Sequence, residues 1–290
     1  MYEYEFIEYI SDKKKIFIYG AGMVGSLVLK RLLCLGVETT RIAFVVTDNR
    51  SVSEFQNYHV LGVDEIEKYE NCIVIVSALK KVREQMVAEL AARGMQNYLF
   101  VDEELFVDME KHYVDEFLNK NIVLAEGKDV LFMASDNNSS SGAFLCMVDL
   151  NKELNERGIR TLVVLPGYGS GEQILIDNSI EYTYVLSKNW LVEIGEDKKS
   201  DIQQQNETAV QKIEQLIEQY HIKLVHNNTT YTYVGAVAAL NKGIPFVWHI
   251  REFIREQGYW FIDEENAYEL INKADCIDYE HNSFICIYKI

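Results

Sequence analysis

At 290 residues, 48% hydrophobic and 25% charged, with only two prolines, the chain has a globular composition and room for two domains that each bury a core. Its formal charge of −17 repels nucleic-acid phosphate and anionic lipid, which excludes binding by broad counterion release and leaves at most peripheral membrane contact. No run reaches the roughly 18 to 20 apolar residues that span a bilayer, and the acidic start MYEYEFIEYISDKKK lacks the continuous apolar segment of a signal peptide.

Taken in chain order, Lys15–Tyr19 is a short run of β-branched and aromatic residues stopped by glycine, the pattern of a buried strand. The preceding Lys13, Lys14 and Lys15 solvate its start. From Gly25 the period changes: Leu27, Val28, Leu32, Leu33 and Leu35 form one helical face, ended by Gly36. Strands follow at 42–46, 72–76 and 98–101, with a helix over 82–93 closed by Gly94. A second basic cluster, Lys80, Lys81 and Arg83, falls at the start of that helix. Strands alternating with helices imply a mainly parallel sheet with helices on its faces.

This first domain occupies residues 1–110, and a charged helical connector 111–127. Over 128–290 the pattern restarts. A strand at 129–134 leads through a polar loop to a helix opened by Gly142, which carries Leu145, Val148 and Leu154 inward and is capped by Gly158. Strands at 161–165, 223–225 and 246–248 alternate with helices over 207–220 and 233–242. The fold class is therefore α/β, with two successive doubly wound domains. Five cysteines, at 34, 72, 146, 276 and 286, show neither a C-x-x-C pair nor histidines at zinc spacing, so a reduced cytoplasmic protein is expected and no metal centre.

Gly20-Ala21-Gly22-Met23-Val24-Gly25 is a G-x-G-x-x-G directly after a strand and at the opening of a helix, with Asp48 beyond the next strand. In that context the first glycine permits the tight turn, the second lets backbone approach a pyrophosphate and the third lets helix pack on sheet, while Asp48 can accept from a ribose. NAD or another nucleotide is the expected ligand; the alternative is a tight turn with no ligand. In the second domain, Ser141 and Gly142 stand at a helix N-terminus, where free N–H groups favour oxyanions, or where Ser141 is only an N-cap on a mobile loop. His226 and Asn227 follow one strand, and His249, Arg251 and Glu252 the next, so three polar loops share the carboxyl edge where ligands bind in open parallel sheets.

The glycine motif, with Phe44-Val45-Val46-Thr47-Asp48-Asn49 and Val60-Leu61-Gly62, resembles the small Rossmann-like modules of bacterial surface-glycan enzymes. Further on, Leu131 to Ala143, Leu162-Val163-Val164-Leu165-Pro166, Val225-His226-Asn227-Asn228, Gly243-Ile244-Pro245 and Trp248-His249-Ile250-Arg251-Glu252 resemble the N-terminal domain of family 4 GT-B glycosyltransferases, over 128–277. That resemblance implies an acceptor-side domain working on a nucleotide sugar and a glycan or lipid-linked acceptor, with no cofactor required. It places Ser141 and Gly142 near the donor phosphates, His249 as the catalytic residue near the reacting sugar, and Arg251 and Glu252 on the acceptor side.

Residues 278–290 do not continue the family pattern, and the family's donor half is missing. The expectation is a chain truncated before the donor domain, inactive alone, with a separately encoded donor domain as partner. The rival expectation is a non-catalytic nucleotide-sensing or scaffold protein. An NAD-dependent oxidoreductase would need a catalytic acid or base that the first domain does not offer.

Overall fold

The computed structural model describes the chain except for residues 50–51, 79, 121–123, 194–198, 253, 255–257 and 280–290. Cys286 and the chain end from 280 onward lie outside the described residues. Two compact units divide the chain, Met1–Lys120 and Asn121–Ile290.

The first unit runs α1 (Glu3–Ser11), β1 (Lys15–Tyr19), α2 (Met23–Cys34), β2 (Ile42–Val46), a hairpin of β3 (Glu54–Phe55) and β4 (Tyr58–Gly62), β5 (Cys72–Val76), α3 (Lys80–Ala92), β6 (Tyr98–Phe100) and α4 (Glu103–Lys120). Its sheet has the order β3-β4-β2-β1-β5-β6, parallel except where β3 meets β4. Strand alternation divides the core. Phe17, Tyr19, Val45 and Val74 join Met86 and Leu90 of α3 on one side, while Ile16 and Ile18, equally buried, point the other way. The chain leaves β1 first towards β2 and β4, then crosses to β5 on the opposite flank, so the switch point falls between β1 and β5.

Three features depart from the sequence pattern. Leu33 and Leu35 are exposed rather than on the inner face of α2, because successive helical residues turn by about 100° and the inner stripe is set by Leu27, Val28 and Leu32. The hairpin turn at Gln56 and Asn57, both at positive φ, uses a primed turn without the glycine that usually announces it. Residues 111–120 continue α4, whose Leu105, Met109, Tyr113 and Val114 are buried, so this part of the expected connector lies within the first unit.

Helix α1 is anchored by charge as well as by Phe6 and Ile10. Glu3 and Arg31, both almost fully buried, form a two-pronged pair at 2.8 and 3.2 Å. Glu116 of α4 meets the same guanidinium at 3.2 Å, and His112 of α4 contacts Glu3. Glu3 and Arg31 thus pair out of water, with Glu116 and His112 of α4 beside them at the more exposed rim.

The second unit runs β7 (Val130–Met133), α5 (Gly142–Glu156), β8 (Thr161–Leu165), α6 (Glu172–Asp177), β9 (Tyr182–Tyr184), β10 (Leu191–Glu193), α7 (Lys199–Tyr220), β11 (Leu224–Asn228), α8 (Val234–Lys242), β12 (Phe246–Ile250), β13 (Tyr259–Phe261), α9 (Glu264–Asn272) and β14 (Cys276–Tyr279). Its main sheet, β14-β12-β11-β7-β8-β9, is parallel throughout, and β10 and β13 form a separate antiparallel pair. Here the switch point lies between β7 and β11. Leu131, Val225, Phe246 and Trp248 pack with Ala209, Ile213 and Ile217 of α7 and Ala236 of α8.

Leu145 faces solvent, and Phe144, Met147 and Val148 form the inner face of α5 instead. His226, Asn227 and Asn228 belong to β11, and His249 to β12, so these residues are the last rungs of strands and not loops. Polar residues end most strands, but here the ladder to β7 and β12 continues through them.

Replacing Glu3 by alanine leaves Arg31 buried beside one remaining carboxylate. Chemical denaturation should show a loss of roughly 3–5 kcal/mol. The exposed Glu153–Arg157 pair is the control, and Glu153→Ala should cost under about 1 kcal/mol.

Candidate functional site

In the first unit, β1 delivers its carboxyl end into the glycine turn. Gly20 has φ +120°, and a methyl group there would lie 2.6 Å from the Ser77 carbonyl oxygen. Gly25 is tighter: a Cβ would stand 2.1 Å from the Gly20 carbonyl oxygen, which is how closely α2 approaches the turn. Gly22, the N-cap of α2, differs in kind, since its missing Cβ would meet nothing within 4 Å. Two glycines therefore close the backbone on itself and the third opens it to solvent, as a strand-to-helix phosphate turn requires.

Above this turn lies a cavity of about 480 Å³, lined by Gly20 and Gly22, by Tyr19 and Thr47 at the ends of β1 and β2, and by Ser77 and Ala78 after β5. It straddles the switch point. Asp48 follows Thr47 at the end of β2 with its side chain exposed, beside the cavity but not in its wall. Ser77, to which the sequence drew no attention, donates to the carbonyls of Tyr19 at 2.9 Å and Gly20 at 3.1 Å and so pins the turn to β5.

In the second unit, Ser141 caps α5, accepting from the Phe144 N–H at 3.3 Å and donating to Asp136 at 2.9 Å. Asp136 also accepts from the Asn138 N–H at 3.0 Å, and Ser170 accepts from the Ser139 N–H at 3.0 Å. The serine-rich loop is thus tied at several points to itself and to the neighbouring turn. Gly142 faces open space.

Strand alternation sorts the residues of β11. His226 and Asn228 lie on the α5 side, where Asn228 donates to the Ala143 carbonyl at 3.1 Å. Asn227, fully buried, points to the opposite side, with Oδ1 2.8 Å from where a Gly235 Cβ would fall. The structure therefore brings His226 and Asn228 to the α5 terminus and places Asn227 beneath α8.

His226 packs tilted against Phe132 at 4.6 Å and stands edge-on to His249 at 6.0 Å. Burial lowers its pKa to about 3, helped by the unfavourable neighbourhood of His249 and the Arg251 guanidinium. It is a neutral ring throughout the physiological range. His249 contacts Arg251 through Nδ1 at 3.2 Å and approaches Asp278 through Nε2 at 3.6 Å. A guanidinium can only donate, so Nδ1 accepts and neutral His249 carries its proton on Nε2, towards the carboxylate.

Glu252 accepts from the Thr230 N–H at 3.0 Å, the Thr230 hydroxyl at 2.8 Å and the Arg251 N–H at 3.3 Å. It holds the turn after β11. Within that turn Thr229 has φ +77°, a costly conformation for a β-branched residue. The Trp248 indole donates to the Thr229 carbonyl at 2.7 Å and the Trp190 indole to that of Thr230 at 2.5 Å. The sequence marks this turn as a polar loop, but neither its indole clamp nor the place of Asp278 beside His249 is legible there. The turn residues are polar and the tryptophans are distant along the chain, so no local pattern reveals them.

Residues 12–96 match the family described as C2185-like, N-terminal. No curated protein matches the chain. Among solved structures, the chain is similar to Anabaena Alr3699/HepE in complex with UDP and glucose, with 23% identity and a TM-score of 0.39, covering 52% of this chain and 37% of that one. It is also similar to MurG of Acinetobacter baumannii, at 17% identity and a TM-score of 0.39, covering 56% and 44% respectively. A third is the glycosyltransferase SsfS6 of Streptomyces sp. SF2575, at 19% identity and a TM-score of 0.29, covering 42% and 39%. The matches span less than half the length of each of these proteins.

Gly25→Ala should destabilise by about 1–3 kcal/mol through forced displacement of α2, seen as a melting temperature lower by several degrees, whereas Gly22→Ala should cost under about 1 kcal/mol. The depressed pKa of His226 means that the unfolded chain takes up a proton below about 6.5 that the folded chain refuses until about 3. Stability should therefore fall as pH drops through that window, by at most about 1.4 kcal/mol per pH unit from this group. Unfolding titrations of His226→Asn between pH 6.5 and 4 should show a shallower fall than wild type.

Proposed function

We propose that this chain serves glycosyl transfer in bacterial surface polysaccharide synthesis. On this reading the second unit is the acceptor-side half of a GT-B glycosyltransferase of family 4, and the first unit is a nucleotide-binding module. The observation that supports it is the gathering of the capped α5 terminus, neutral His226 and the Arg251–His249 contact at the carboxyl ends of β7, β11 and β12. In a chain of charge −17, that edge offers N–H donors and a guanidinium, which suit a hydroxyl-rich acceptor carrying phosphate.

His249 is the residue we assign beside the reacting sugar. With Nδ1 accepting from Arg251, the ring would meet the sugar as a neutral, oriented group and not as a free base at that nitrogen. Arg251 would hold an acceptor phosphate. As proposed, transfer uses a nucleotide sugar as donor and needs no further cofactor.

A second reading, a nucleotide-sensing or scaffold protein, is favoured by one observation of its own: the cavity over Gly22 with Asp48 beside it. The two readings share a nucleotide in the first unit and differ in whether the second unit takes an acceptor.

Calorimetric titration with a diphosphate-linked short-chain lipid sugar separates them. The glycosyl-transfer reading expects saturable binding that weakens about tenfold, or about 1.4 kcal/mol, in Arg251→Ala. Absence of saturable binding by the wild-type chain rejects it. The sensing reading then stands or falls on a melting shift with NAD or UDP-glucose at about 100 times Kd, worth about 2.7 kcal/mol, that Asp48→Ala reduces.

A further inference from the structure

The second basic cluster, Lys80, Lys81 and Arg83, has no part in the glycosyl-transfer reading, yet two of its members wall a cavity. This second chamber, of about 370 Å³, is lined by Lys80, Arg83, Asp102 and Phe106, and it shares Met23, Val24 and Ala78 with the chamber over the glycine turn. The two chambers therefore adjoin at the first turn of α2. Each chamber alone is at the small end of the range of roughly 300–1,000 Å³ for small-molecule sites, and joined they suit a ligand with two ring-bearing lobes.

The charges of the second chamber are unequal. Arg83 is half-buried, donates to the Val101 carbonyl at 3.1 Å and lies 4.6 Å from the centre of the Phe100 ring. Neither partner carries a charge, and among the described residues no carboxylate bonds this guanidinium, although acidic residues outnumber basic ones by 45 to 28. Lys80 stands one turn before it on α3. Across the chamber, Asp102 is already engaged: one oxygen accepts from the Leu105 N–H at 2.8 Å and the other meets the Met1 ammonium at 3.1 Å. Glu103 is exposed to water. A partly desolvated cation held only by neutral groups favours an anion beside it, and the neighbouring carboxylates favour a single negative charge over the double charge of a phosphate.

We propose that the cleft of the first unit binds a nucleotide diphosphate sugar whose sugar carries a carboxylate, with that carboxylate seated at Arg83 and Lys80. This rests on the nucleotide-binding reading of the first unit and names its ligand class. The base and ribose occupy the chamber beside Thr47 and Asp48, the diphosphate passes Gly22, and the acidic sugar fills the second chamber.

Calorimetry on the full chain with two matched pairs, UDP-glucose against UDP-glucuronate and GDP-mannose against GDP-mannuronate, tests it. For the base that binds, the acidic sugar should bind at least about tenfold more tightly than its neutral counterpart. In Arg83→Gln that preference should shrink to within about twofold while the neutral ligand's affinity is unchanged, and Arg83→Lys should retain part of it. Melting curves of the variants establish that they fold. Equal affinity for the two members of a pair, or an Arg83→Gln that weakens both alike, overturns this inference and leaves nucleotide binding intact. Failure of all four ligands to bind overturns this inference, and the nucleotide-binding reading falls with it when NAD gives no melting shift either.

Discussion

Parallel strands buried between helices leave few places where a side chain can keep a hydrogen bond to anything but its own backbone. Burying a polar group without a partner costs on the order of 1–3 kcal/mol, so polar side chains collect where the strands run out. In both units that edge is widest at the switch point, between β1 and β5 and between β7 and β11, because the crossovers leave it in opposite directions. The glycine turn and the α5 terminus each occupy such a point. Their positions follow from strand order before any particular ligand is considered.

What could be read from the sequence was whatever a backbone requirement had imprinted on residue type. Gly20 and Gly25 are legible because no other residue fits within 2.6 and 2.1 Å of a carbonyl oxygen. Gly36, Gly94, Gly158 and Gly243 mark helix ends for a related reason, since all four sit at positive φ. The strands of both cores were legible from their apolar runs. The outer limits of β11 and β12 were not, because His226, Asn228 and His249 are polar and polarity normally signals a loop. Which neighbour each would face depends on strand pairings made across long stretches of chain.

The Glu3–Arg31–Glu116 group shows the same limit from the other side. Charges on helices normally mark solvent, and nothing local distinguishes Arg31 from Lys30. Its burial follows from α4 lying against both α1 and α2, which joins Glu116 to Arg31 and His112 to Glu3 across more than 80 residues of chain. Apolar packing settles which helices meet; the ion group then makes that arrangement sensitive to losing Glu3, since the buried guanidinium would keep only the more exposed Glu116 as a partner.

The turn after β11 has an optical consequence. Of the three tryptophans in the chain, two donate their indole protons to the adjacent carbonyls of Thr229 and Thr230, and Trp190 is also stacked on Tyr233 at 4.5 Å and on Trp248 at 6.1 Å. Indole emission depends on the polarity around the ring and on what quenches it. Two of the second unit's three indoles therefore sit hard against the turn that Glu252 holds, and a rearrangement at that edge should change the intrinsic emission without a label.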